Sequence, residues 1–421
     1  MVIFRIVKNP LVFGALICAT AVYSGSISVR NKRHFSSTVS PSDIIFMKGK
    51  IVSNPVKSSR TQKYLLQFEP KFVRTSNGIV STCSGILSVM IDSSMVEAYF
   101  PGKLYSEGCK KGTLICENGA IAELSGRTGD DDIFFADSGC SKGFPCTTAG
   151  KITHVRALFR VQFRRLMYAW GAAGGFLLAL LSGIKEYTEQ QTVDAFRNAG
   201  LSHILALSGM HLSIFSDLAV YAGYGICGKK AAQVFQVCAI LLFVWFAGFS
   251  PSLRRAFFCS IGLMILSLCG IKKIDMLSVL SAAFLCHIAV VPSDCMNASF
   301  MLSYGAMGGI FLFKELINGK LSYIFPSCIS SSLSTAVAAQ TFTTPVSLKL
   351  FGTFFPGGII ASVVVSPFIT IFIYIGLLFI ILCLFFPVCA IPAGIVLNSV
   401  YSVIKIIVVV FSYIPGISIQ I

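Results

Sequence analysis

Charge is scarce in this sequence. Only 12% of its 421 residues are Asp, Glu, Lys or Arg, about half the roughly 25% of an ordinary soluble domain. So little charge cannot clothe a globule of this size in water, which excludes an ordinary soluble enzyme. Acidic residues are the scarcest, 18 against 34 Lys and Arg, leaving a formal net charge of +16. There is no Gly-x-x-x-x-Gly-Lys-Ser/Thr loop, so a nucleotide motor of that type is not built into the chain.

In place of charge there is apolar length. Hydrophobic residues make up 55% and the mean hydropathy is +0.78. About 20 apolar residues cross a hydrocarbon core. Candidate spans fall near 166–183, 233–249, 255–271, 276–292, 297–313, 323–340, 354–386 and 390–414, the long 354–386 stretch having room for two. A further apolar run, Leu11 to Val29, follows Arg5 and Lys8. The positive-inside rule then puts the N-terminus in the cytoplasm. An uncleaved first helix is expected there. A signal peptide is the competing reading of residues 1–25.

The charge is concentrated. Residues 28–165 hold 20 Lys/Arg and 11 Asp/Glu, whereas 166–421 hold 12 and 7. The first of these segments is also different in kind. It has short alternating stretches, such as Ile86 to Ile91 and Met95 to Phe100, punctuated by Pro101-Gly102, Asn118-Gly119 and Ser125-Gly126. That pattern predicts β-strands in a small barrel or sandwich. The expected architecture is a polytopic α-helical membrane protein with an inserted extracytoplasmic all-β domain. Its expected parts are a membrane helix over 1–29, the β domain over 30–160 and a multi-helix membrane domain over 161–421. Five cysteines lie in the β segment, and outside the cytoplasm they are disulfide candidates: Cys109, Cys116, Cys140 and Cys146, with Cys83 besides. Their spacing matches no common zinc frame.

The lysine-bearing loops Lys229-Lys230, Lys272-Lys273 and Lys314 with Lys320 fall two spans apart and so share one face, the cytoplasmic one. For that parity to hold, 201–227 must dip into the membrane and return. The segment is rich in Gly, Ser and His, and irregular backbone at membrane depth belongs beside a cavity or inside protein. It is expected to be a re-entrant or laterally inserted helix lining a path. On such a helix His203 and His211, eight residues apart, sit roughly 80° apart. Costly polar groups in the bundle, His203, His211, Asp217, Arg254, Arg255, Gln340, Ser208 and Ser303, are candidates for lining a hydrophilic passage. For each of them helix-helix hydrogen bonding is the plainer reading.

Several ordered motifs resemble the ComEC competence family of inner-membrane DNA-uptake channels. Gly200-Leu201-Ser202-His203 with Leu207-Ser208-Gly209-Met210-His211 resembles its G-L-x-H-L-L-A-x-S-G-L-H signature, Met210 standing for Leu. Gly248 to Ala256, with Pro251, Ser252, Arg254 and Arg255, resembles its G-x-x-P-S-x-x-R-A stretch. Phe300 to Ala306, with Ser303, resembles F-Q-L-S-F-x-A, Met301 replacing Gln. Gln340 to Pro345 and Phe351-Gly352 resemble its late segment. The likeness covers about 166–385.

The resemblance implies transport of single-stranded DNA and an OB-like outer domain, with no cofactor. A basic barrel follows phosphates by charge and stacks bases on aromatics. Lys103, Lys110, Lys111 and Arg127 are candidate phosphate contacts, and Tyr99, Phe100 and Tyr105 candidate stacking residues. Arg254 and Arg255 are expected at the outer mouth. The bilayer, a separate cytoplasmic motor ATPase, a DNA receptor and a nuclease are the implied partners. Longer family members carry a metallo-β-lactamase-like domain. No His-x-His-x-Asp-His cluster occurs in these 421 residues, so metal-dependent second-strand hydrolysis is not expected of them: either another protein performs it, or uptake works differently here. The alternatives are a transporter of another solute or lipid, and an intramembrane hydrolase using Ser208 and His211. The latter lacks an evident orienting carboxylate, since Asp217 lies on a different helix face.

Overall fold

A computed structural model describes residues 9–24, 35–53, 55–57, 63–92, 118–129, 133–185, 187–207, 209–248, 250–271 and 273–418. Its contacts divide the chain into two units, Arg30–Ala169 and Met1–Val29 with Trp170–Ile421.

In the first unit, alternation of apolar and polar residues folds as expected into strands. Five of them close a barrel: β1 (Ile44–Ile51), β2 (Tyr64–Thr75), β3 (Leu87–Ile91), β4 (Ile121–Thr128) and β5 (Ile133–Gly143). The pairing runs β1-β2-β3-β5-β4 and back to β1, antiparallel except for β3 with β5. A closed five-stranded sheet with its third and fifth strands parallel is an OB-type barrel. The period of two puts Leu66 and Phe68 inward from β2, Leu87, Val89 and Ile91 from β3, and Met47 and Phe134 opposite them. The stretch Ile86 to Ile91 is thus a barrel strand, while Met95 to Phe100 lies outside the described residues.

α1 and α2 are Pro10–Tyr23 and Thr148–Ala169. The second, in the barrel unit, carries Lys151, Arg156, Arg160, Arg164 and Arg165 and no acidic residue. Its polarity is inverted. Arg160 and Arg164 are 3% and 5% exposed, while the apolar Val155 and Phe159 are 45% and 59% exposed.

The helical unit continues with α3 (Gly171–Ser182), α4 (Gln190–Asn198), α5 (Gly209–Ala247), α6 (Pro251–Leu268), α7 (Met276–Val290), α8 (Ala298–Leu321), α9 (Ser327–Phe351), α10 (Gly357–Phe385) and α11 (Ala390–Ser412). α6, α8, α10 and the stretch Pro387–Ser412 are long and apolar enough to cross a membrane. This is a membrane protein. The expected span 166–183 is not one helix: α2 stops at Ala169 and α3 starts at Gly171, whose φ is +63°. The 12 residues of α3 cover only ~18 Å, short of the ~30 Å core. The 354–386 stretch is a single helix with Pro367 inside it.

α5 is a hairpin. Gly228 has φ +78°, which a continuing right-handed helix does not contain. Gln236 Nε2 donates to Ser216 Oγ at 2.9 Å, although 20 residues of straight helix would separate them by ~30 Å. Phe215 and Phe243 pack at 4.5 Å between ring centroids. The two ends of α5 therefore come together, joined by Leu212, Val244, Ala247 and Leu253 in one apolar cluster.

The same logic orders the helical unit into two ends. Asn9 at the start of α1 donates to Ser278 Oγ at 2.5 Å at the start of α7. Tyr23 at the other end of α1 donates to the Cys295 carbonyl at 3.1 Å. Lys229-Lys230 follow the hairpin tip, Lys273 lies past the end of α6, and Lys320 closes α8. Each is a helix length away from the residues 250–254 and 292–297 that gather at the opposite end.

Candidate functional site

That opposite end collects the motifs. α4 finishes at Asn198, and Gly200 turns the chain with φ +73° while the Leu201 N–H bonds the Phe196 carbonyl at 2.7 Å. A Cβ on Gly200 would stand 2.9 Å from Phe355 Cβ and 3.0 Å from Gly358 Cα, so glycine is needed for α10 to approach. Residues 201–207 are irregular backbone, not helix. The helical reading of 201–211 is therefore corrected. Gly200 ends one helix and Gly209 begins another, so the 80° relation between His203 and His211 does not arise. Leu201, Ile204, Leu205 and Leu207 turn inward, whereas Ser202 and His203 stay open. His203 is exposed. His211 is fully buried. Ser208 lies outside the described residues.

α6 is built for this end. Gly248 closes α5 with φ +94°, Pro251 occupies the first turn, and the Ser250 hydroxyl accepts from the Leu253 N–H at 3.3 Å. Those are the standard helix-start devices. Ser252 Oγ donates to the Leu207 carbonyl at 2.6 Å. One hydroxyl thus ties the first motif to the second, 45 residues later. Two helix N-termini, those of α5 and α6, come to lie side by side.

The adjacent arginines separate. Arg254 makes an ion pair with Asp294. The other contacts of that carboxylate are His287 Nε2 at 3.0 Å and Asn297 Nδ2 at 3.4 Å. His287 Nδ1 lies 3.2 Å from Tyr304 Oη, which donates to the Ala283 carbonyl at 3.1 Å. His287 is wholly buried, ringed by Phe258, Phe300 and Tyr304. Sequence reasoning missed Asp294, His287 and this use of Tyr304. The available signal was rarity, because 166–421 contains only seven acidic residues. Arg255 points elsewhere: Nη1 donates at 3.4 Å to the carbonyl of Ser303, and Nη2 lies 2.8 Å from where a Cβ on Gly209 would be.

The late motif is not part of this cluster. Gln340 on α9 accepts from Thr343 and Thr344 of its own helix at 3.2 and 2.9 Å, and Pro345 sits within the same helix.

On the barrel, Arg127 is exposed on β4. Lys103, Lys110 and Lys111, with Tyr99, Phe100 and Tyr105, lie outside the described residues. A different outward strip is present on β1 and β2. Phe46 faces Arg74 and Lys48 faces Phe72 in the register. The Arg74 guanidinium lies 4.9 Å over the Phe46 ring, and Phe72 is exposed. Glu123 accepts from Lys48 at 2.9 Å and from Lys142 at 3.3 Å. Lys48 first, then Lys142, holds its carboxyl below the usual range. Cys140 and Cys146 are exposed and unbridged to any cysteine among the described residues. Cys109 and Cys116 lie outside the described residues.

A family model described as "Competence protein" matches residues 180–421, a range that contains every motif of the cluster. The chain belongs to the competence protein family. This competence protein is also 23% identical over 204 residues to "ComE operon protein 3" of Bacillus subtilis (strain 168), a match covering 48% of the chain and 25% of that relative. The chain thus aligns with about a quarter of the relative's length. No solved structure matches the competence protein.

Proposed function

We propose that this protein passes single-stranded DNA across the bacterial inner membrane during DNA uptake, without itself being an enzyme. The observation that carries the reading is the meeting of two family motifs, 200–211 and 248–255, at one end of the bundle through Ser252 and Leu207. Polar groups gathered from separate helices suit a hydrophilic passage better than packing alone, because each costs free energy in hydrocarbon. The lysine-rich end faces the cytoplasm, so the motif end is the outer mouth. The barrel stands outside the membrane and meets the strand first. Phe46 and Phe72 offer stacking faces, with Lys48 and Arg74 beside them for phosphates. A separate motor ATPase, a surface DNA receptor and a nuclease complete the pathway.

The test is uptake of labelled DNA in cells lacking the gene, with surface binding and import measured separately. Binding persists and import is lost if the reading is right. Normal import in the null strain refutes it.

A further inference from the structure

Among the described residues the charge of Arg255 has no counterpart. The side chain is 9% exposed, and among the described residues no carboxylate pairs with it. Its Nε has no hydrogen-bond partner, and its contact to the Ser303 carbonyl is long at 3.4 Å. Its chain neighbour shows what compensation looks like, with Asp294 set against Arg254. A buried guanidinium left unmatched costs several kcal/mol. Beside it stands a second positive feature. Nη2 hangs over Gly209, the first residue of α5. The first N–H groups of a helix have no acceptor within it, and together they behave as roughly half a positive charge. Gly209 has no side chain to occupy the space that Arg255 takes. The Ser252 bond to Leu207 fixes the backbone just ahead of that helix start.

We infer that Arg255 and the N-terminus of α5 form a binding site for one phosphodiester group. Helix N-termini and planar guanidinium forks are the standard partners of such anions. Arg255 is then the group that touches the passing strand, and Arg254 is the residue that anchors the mouth. A phospholipid headgroup offers the same phosphodiester chemistry and is the other source. The inference rests on the strand-passage reading and sharpens it.

The experiment uses the full chain in maltoside micelles, free of added phospholipid. Binding of a fluorescent single-stranded oligonucleotide is titrated at several salt concentrations for wild type, Arg255→Gln, Arg255→Lys and Gly209→Ala. Retained lipid phosphorus is measured on the same samples. Loss of one strand phosphate contact lowers the slope of log K against log salt by about 0.7. That drop is expected for Arg255→Gln and for Gly209→Ala, which keeps the charge but displaces the guanidinium. Arg255→Lys keeps the charge and the slope. An oligonucleotide with a neutral methylphosphonate backbone should not distinguish the variants. If the slope is unchanged but wild type retains phospholipid that Arg255→Gln loses, the phosphodiester site stands with lipid as its source. An unchanged slope with unchanged lipid overturns the site. Gly209→Ala reports even where Arg255→Gln fails to fold. Failure of the transport reading looks different: wild type itself then binds no strand, or import survives loss of the gene.

Discussion

Arg254 and Arg255 are adjacent in the chain and opposite in circumstance. Arg254 shares Asp294 with a buried histidine. Removing Arg254 leaves the buried Asp294 carboxylate without its guanidinium, and an uncompensated buried charge is destabilising. Arg254→Gln should therefore lower the thermal unfolding midpoint in micelles, and adding Asp294→Asn should recover part of the loss. A double variant no more stable than Arg254→Gln would argue against coupling. Glu123 makes a pH-dependent contribution to the barrel. Its folded-state pKa is depressed by Lys48 and Lys142, so its stabilisation is complete above the ordinary carboxylate value of ~4.3. It is lost as pH falls through the lower folded value. Glu123→Gln should flatten the acid limb of stability below about pH 4, measured by circular dichroism, and should change its shape little near neutrality. The Cys83 thiol is half-buried, and burial pushes it up to about 11. Cys140 and Cys146 should thus react with a maleimide before Cys83 does, as mass spectrometry of timed samples would show.

The element with the most to reveal is α5. Hydropathy sees 39 residues as one or two spans and cannot tell a long helix from a folded one. Gly228 and the Ser216–Gln236 bond decide it. Cysteines placed at 216 and 236 should be joined within one chain by a short bismaleimide, a reach that the ~30 Å of a straight helix would not allow. Absence of that cross-link, with both thiols reactive, would mean a straight helix. α2 is the second such element. With Val155 and Phe159 turned outward and Arg160 and Arg164 inward, its middle has the polarity expected in lipid rather than in water. A cysteine replacing Phe159 should be shielded from a membrane-impermeant maleimide in intact vesicles, and labelling as fast as that of Cys146 would contradict this. The sequence offered Arg156, Arg160 and Arg164 at every fourth position, but their number hid the helix from a hydropathy reading.

For the molecule as a whole, apolar excess and lysine placement specified a multi-pass membrane protein, because hydrocarbon rejects charge whatever the fold. Strand alternation specified a small β domain, because a period of two has a single meaning for a half-buried strand. The motifs were legible as ordered strings of unusual residues, and the family match over 180–421 agrees with them. Their roles were not legible. That Ser252 ties residue 207 to α6, that Asp294 pairs with Arg254 while no described carboxylate pairs with Arg255, and that 201–207 is turn rather than helix all depend on partners 40 or more residues away or on the sign of one φ angle. Composition and periodicity are properties of neighbours along the chain. Which charge is compensated is a property of neighbours in space, and it follows from how α5 folds back on itself to bring Gly209 beside α6.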